Sequence, residues 1–152
     1  MELSGSEVAR IRQAALLHDV GNVGISDDIL LKPGPLTAVE FSQVKEHVHR
    51  GARDFEAVDT LQEAADIVRH HHERVDGTGY PQGLRGEEIP LGARVVAAAD
   101  AYVMMTAEVP WRPAKSHEEA VRELQASAGA HFDGEVVDQL ISVLRVRRNG
   151  AR

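Results

Sequence analysis

A chain of 152 residues that is 43% hydrophobic is long enough to bury one core and too short to expect two, and its formal charge of −7 excludes a general basic surface for nucleic-acid polymers. Cysteine is absent, which excludes disulfides and thiolate metal sites and leaves His, Asp and Glu, a donor set suited to iron, manganese or zinc. The longest near-apolar stretch, Val95 to Met105, is broken by Asp100 and falls short of the ~20 residues a membrane span needs; no basic leader precedes an apolar run, so a cytoplasmic location is expected.

The spacing predicts helices throughout, in a single all-α domain over residues 1–152. The first helix opens with the capping pair Ser4 and Glu7, carries Val8, Ile11 and Ala15 on one face, and ends at His18-Asp19 just before Gly21. After the KPGP turn at Lys32 to Pro35, Thr37 and Glu40 open a second, with Phe41, Val44 and Val48 as its apolar stripe and His47 inside it. Thr60 and Glu63 open a third, with Ala64, Ile67 and Val68, ending at His71 and His72. A glycine-rich turn, DGTGYPQG from Asp76 to Gly83, leads to a fourth helix from Pro90 to about Ala107, with Asp100 inside and Met104 and Met105 expected in the core. Beyond the VPWRP linker, Ser116 and Glu119 open a fifth with Ala120, Val121 and Leu124, and a sixth runs from Asp133 to about Leu144. Arg145, Arg147, Arg148 and Arg152 make residues 145–152 read as a frayed, solvated basic tail. No run alternates with period two long enough to form a strand.

Three features on these helices carry chemistry. VRHHHERVDGTGYP, Val68 to Pro81, ends an apolar helix in three imidazoles beside a turn; LLHDVG presents His18 and Asp19; and Asp100 lies among residues that would otherwise pack as core. Burying that carboxylate is costly unless a cation compensates it. Adjacent helical residues point about 100° apart, so a His-Asp or His-His pair can serve two neighbouring ions, or one ion and its surroundings. A carboxylate can bridge two ions, and Asp19 is the natural bridge. Glu73 is placed to orient a ligand imidazole, and His49, His70, His117 and His131 are expected on the surface or just behind the metal ligands.

LLHDVG, GISDDILLKPGPLT, the His47-to-Gly51 spacing, HHERVDGTGYPQGLRGEEIP and RVVAAADAY together resemble the HD-GYP domains of bacterial signalling proteins, a branch of the HD metal-dependent phosphohydrolases. The resemblance covers about Val8 to Leu144. It implies a compact helical bundle with a GYP-containing loop, divalent ions, expected to be two and to be iron or manganese with zinc also suitable, and hydrolysis of cyclic di-GMP to pGpG or GMP. Carried over by position, His18, Asp19, His47, His71, His72 and Asp100 are the implied metal ligands, with Asp19 central to catalysis. Gly79, Tyr80 and Pro81 form the implied turn beside substrate. The family usually has a Lys where this chain has Asn22 and an Arg where it has Val109; Arg112 stands nearby and, with Asn22, is carried over as a substrate contact. A further His ligand from an upstream helix is also implied, so the expectation is a piece of a larger protein, with a sensory or receiver domain and signalling partners, or an incomplete first metal site. A domain that binds ligand without turning it over, or acts on another nucleotide, is the alternative.

Overall fold

The computed structural model describes residues 2–109 and 112–150, and its helices begin where local chemistry favours them. They are α1 (Gly5–Leu17), α2 (Asp27–Leu30), α3 (Ala38–Lys45), α4 (His47–Glu56), α5 (Ala65–His70), α6 (Leu91–Thr106), α7 (His117–Ser127) and α8 (Gly134–Gly150). Ser4, Thr37 and Ser116 each accept the amide of the residue three on, while Glu7, Glu40 and Glu119 bond back to the cap amide, closing three reciprocal capping boxes. Pro90 stands immediately before α6, and the Asp133 carboxylate accepts the amides of Glu135 and Val136 at the start of α8.

Four expectations are corrected. Thr60 caps no helix: the chain passes through a 3-10 turn, Gln62–Ala64, whose cap position is Leu61 with no side-chain bond, before α5 begins. The expected second helix is two, because the chain is interrupted at Glu46 and restarts, so His47 is the first residue of α4 rather than an interior one. Met105 is buried but Met104 is exposed, since they point to different sides of α6. Finally, α8 continues to Gly150, so residues 145–150 are helical where a frayed tail was expected. Arg152, like Pro110 and Trp111 of the VPWRP linker, lies outside the described residues.

Two apolar clusters share α6 as a spine. Ala14, Phe55, Ile67, Val68, Ala93 and Val96 join α1, α4, α5 and α6; Met105, Ala120, Leu124, Val137 and Ile141 join α6, α7 and α8. Each fully buried Val, Leu, Ile or Phe among them contributes about 1.5–3 kcal/mol, which fixes the relative positions of the helix ends that carry the site. Among the described residues there is no strand, only isolated bridges. The segment after α5 is instead pinned to the α7–α8 corner, with the Val75 and Asp76 amides donating to the His131 and Ala130 carbonyls. No helix among the described residues is long and apolar enough to cross a membrane.

Candidate metal centre and its cleft

Backbone packing brings the expected ligands together. His18 follows the last turn of α1, and Asp19 opens a 3-10 turn, Val20–Gly24, that lies on α4. The contact is closest at Gly21, where a Cβ would sit 2.1 Å from the His47 carbonyl oxygen and 2.7 Å from the Gly51 amide nitrogen. Only glycine permits that approach, and it sets the start of α4, hence His47, beside Asp19. On the other side α4 packs on α5, with the Val68 side chain against Gly51, and His71 and His72 stand opposite His47. Asp100 reaches the same space from α6.

Three imidazoles are oriented by their own chain. The Nδ1 positions of His18, His47 and His71 lie 3.0, 2.7 and 2.7 Å from the carbonyls of Ala15, Val44 and Val68. A carbonyl only accepts, so each Nδ1 carries a proton and Nε2 faces the centre, where the neutral ring offers its lone pair to a metal. The two oxygens of Asp19 face different imidazoles, Oδ1 at 3.3 Å from His47 Nε2 and Oδ2 at 3.4 Å from His18 Nε2. Asp100 Oδ1 lies 3.6 Å from the same His18 nitrogen, and the Nε2 atoms of His47 and His71 face each other at 3.5 Å.

This arrangement fits divalent metal. One donor atom from each of Asp19, His47, His71 and His72 lies within 4.8 Å of the others, and His18 Nε2 is buried without a hydrogen-bond partner. Converging lone pairs that no proton donor satisfies are stabilised by a cation, and imidazole with carboxylate suits iron, manganese or zinc. Protonation states agree for the half around His71 and His72. Burial lowers His71 to about 4 and His72 to about 2, the neighbouring imidazoles adding to the effect, so both are neutral ligands at physiological pH. In the other half His18 is raised to about 9, chiefly by the Asp100 carboxylate and secondarily by the Ala15 carbonyl and Asp19, against an opposing effect of burial. At 3.6 Å the Asp100 contact is a charge attraction rather than a hydrogen bond.

The remaining expected site residues divide. Tyr80 and Gly79 line a cleft of about 410 Å³ that opens onto His71, His72 and Asp100, and Pro81 follows Tyr80 through a cis bond. The Tyr80 ring stacks on His72 at 4.8 Å, and burial raises its phenol well above the usual range. Gly79 serves its own chain: a Cβ there would lie 2.4 Å from the Arg74 amide nitrogen and 2.5 Å from Glu73 Cα, so the tight approach is to the α5 end rather than to a ligand. Glu73 does not orient an imidazole. Its buried carboxylate accepts the amides of Gln82, Gly83 and Leu84 at 2.6, 3.1 and 3.1 Å, and backbone carbonyls do the orienting instead. Arg112 is turned away to the Met104 carbonyl, its own backbone paired with Val109, and the Asn22 Oδ1 atom is buried without a partner; neither side chain lines the cleft.

Sequence reading missed the cleft walls. Phe41, assigned to a core stripe, is exposed on one wall with Lys45 beside it, and Arg74, His131 and Phe132 line the cleft as well. The i, i+4 spacing of Phe41 and Lys45, ending two residues before His47, was the available signal. His131 arrives through the pairing of residues 75–76 with the α7–α8 corner, which no local pattern announces.

The chain is similar to known proteins in sequence and fold. The HD domain family matches residues 1–136. A cyclic di-GMP phosphodiesterase of Thermotoga maritima is 42% identical over 145 residues, covering 94% of this chain and 39% of that protein. A 3'3'-cGAMP-specific phosphodiesterase of Vibrio cholerae is 38% identical over 141 residues, covering 91% and 27%. The crystal structure of a cyclic GMP-AMP specific phosphodiesterase of V. cholerae superposes with a TM-score of 0.70 at 24% identity, covering 93% of this chain and 40% of that one, a likeness of fold. The chain thus spans two fifths or less of the length of these relatives.

Proposed function

The chain belongs to the HD domain family, and from that premise we propose that it is the hydrolytic domain of a cytoplasmic, metal-dependent cyclic dinucleotide phosphodiesterase, with cyclic di-GMP as substrate and pGpG or GMP as product. The single observation that carries this reading is the division of Asp19, one oxygen facing His47 and the other His18. On it, His47, His71, His72 and Asp19 would hold one divalent ion and His18, Asp100 and Asp19 a second, iron or manganese being the preferred metals. Such an ion pair supplies Lewis-acid activation of water and of the scissile phosphate, so that no nucleophilic side chain is required.

The chain's own residues do the rest. Backbone carbonyls of Ala15, Val44 and Val68 keep the imidazoles in the tautomer that binds metal. Asp19 holds both halves of the centre in register. Tyr80, its phenol kept protonated by burial and by the charges of Asp19 and Asp100, presents an O–H donor beside the cleft. Glu73 holds the backbone that follows the GYP turn, so the substrate side of the cleft is preformed. Upstream sensory or receiver domains are the fitting partners of such a domain, given how much longer its relatives are.

Relatives named for cyclic di-GMP and for cGAMP both resemble the chain, so the test is a paired one. Protein loaded anaerobically with iron, or with manganese, is given each dinucleotide and its products are separated by chromatography. Metal-dependent production of pGpG is expected. Cleavage of neither dinucleotide, with both ions bound, would overturn the enzymatic reading and leave a ligand-binding domain.

A further inference from the structure

The phosphodiesterase reading leaves the cleft's charge unexplained. Its substrate carries two phosphates, yet neither Asn22 nor Arg112 contributes to the wall, and the latter's guanidinium is committed to a carbonyl. Two fixed cations line the cleft, Lys45 and Arg74. Arg74 faces the Asp76 carboxylate at 3.8 Å. Lys45 has no carboxylate partner among the described residues; its ammonium rests over the Phe41 ring at 4.8 Å and the Tyr80 ring at 5.2 Å. A cation parked on two aromatic faces is held in place yet keeps its hydrogens available, and the attraction is weaker than a charge-assisted bond to phosphate.

The rings themselves form a path. Phe41 meets Tyr80 edge to face, with centroids 6.2 Å apart, and Tyr80 stacks on the metal-side His72 at 4.8 Å. Phe41 is 45% exposed at the outer end of that path, an unusual outlay of aromatic surface on the wall of a polar cleft. A flat, partly apolar partner would cover it, and a nucleobase has that shape.

We propose that Phe41, Lys45 and Tyr80 form a nucleotide clamp on one wall of the cleft, Lys45 donating to a substrate phosphate beside the metal centre and Phe41 stacking against a base. The clamp rests on the phosphodiesterase reading and adds to it the residues that bind substrate. Lys45 places a positive charge on a wall to which neither Asn22 nor Arg112 contributes. Its place fits that task, since α3 ends at Lys45 and the chain restarts at His47, which couples the cation to a metal ligand through one intervening residue.

The experiment compares metal-loaded wild type with Lys45→Met, Lys45→Arg and Phe41→Ala, measuring KM and kcat for cyclic di-GMP and its ionic-strength dependence, with thermal melting alongside. Lys45→Met is expected to raise KM about 10- to 100-fold, the loss of one charge-assisted bond, with kcat much less affected and a shallower salt dependence. Lys45→Arg should recover most of the loss. Phe41→Ala, which removes an exposed ring and leaves no buried void, should raise KM about 5- to 100-fold without altering the salt dependence. A purely structural Lys45 would move the melting temperature and leave KM and its salt dependence as in wild type, and that result overturns the clamp. Wild type that neither binds nor cleaves the dinucleotide sinks the phosphodiesterase reading and the clamp with it, whereas wild-type turnover with KM unchanged in Lys45→Met and Phe41→Ala sinks the clamp alone.

Discussion

Replacing Glu73 with Ala should loosen the GYP loop and leave the metal centre in place. The Glu73 carboxylate is 4% exposed and accepts three backbone amides, from Gln82, Gly83 and Leu84. Stranding a buried donor costs about 1–3 kcal/mol, and bonds to a charged acceptor lie toward the upper end of that range. The three are not independent, and Gln82 is exposed enough for water to recover part of the loss, so the expected total is about 2–4 kcal/mol. For a chain of this size each kcal/mol lowers the melting temperature by roughly 2–4 °C, which predicts a fall of about 4–16 °C. Glu73→Gln should fall between, because one oxygen survives while an NH2 group is set against an amide donor. Hydrogen exchange is the direct assay: amides 82–84 should lose protection, and those of α4 and α6 should keep it. Metal content after loading should match wild type. Loss of bound metal with the loop still protected would refute this account and restore the role of orienting an imidazole.

Gly21→Ala is expected to be severe, since its Cβ would lie 2.1 Å from the His47 carbonyl oxygen and 2.7 Å from the Gly51 nitrogen, both backbone atoms that cannot rotate aside. A loss of about 3 kcal/mol or more, with weakened metal loading, is predicted, and an unchanged melt would show that α4 does not depend on this contact. In metal-free protein the pH dependence has two arms. His18 is raised from 6.5 to about 9, so its stabilisation is complete below pH 6.5 and is lost as pH rises through about 9; His71 is lowered from 6.5 to about 4, so stability also falls as pH drops from 6.5 toward 4, where the unfolded chain binds the extra proton. Melting temperature should therefore peak near neutrality, and Asp100→Asn should flatten the alkaline arm; an alkaline arm equally steep in that variant would remove Asp100 as its cause.

The helical class was legible because three capping boxes and a 3.6-residue apolar period act locally, and both operate within a few residues of their own sequence. The implied ligands came from resemblance by position, four imidazoles and two carboxylates in all, and the fold brings donor atoms of Asp19, His47, His71 and His72 together. What local reasoning could not reach depended on partners distant in sequence. Thr60 and Glu63 have the composition of a cap, but the chain enters a 3-10 turn there with Leu61 at its cap position. Glu73 stands next to two expected ligands, yet its carboxylate reaches forward nine to eleven residues, to a loop whose path only the fold defines. Phe41 fits an apolar stripe, but the break at Glu46 separates α3 from α4 and leaves the ring on the cleft. Asn22 and Arg112 followed from resemblance by position, and positional transfer carries no information about where a side chain turns.

The role proposed for Asp19 is to join two halves of one metal centre that hydrolyses a cyclic dinucleotide. It is tested most directly by loading wild type and Asp19→Asn with manganese or iron, counting the metal bound per chain, and following cyclic di-GMP conversion to pGpG in the same samples. The account predicts two ions and turnover in wild type, and in Asp19→Asn a loss of at least one ion with turnover reduced to background, because the neutral amide cannot bridge both halves. Wild-type turnover in Asp19→Asn, or turnover that persists in wild type after complete metal removal, would contradict it.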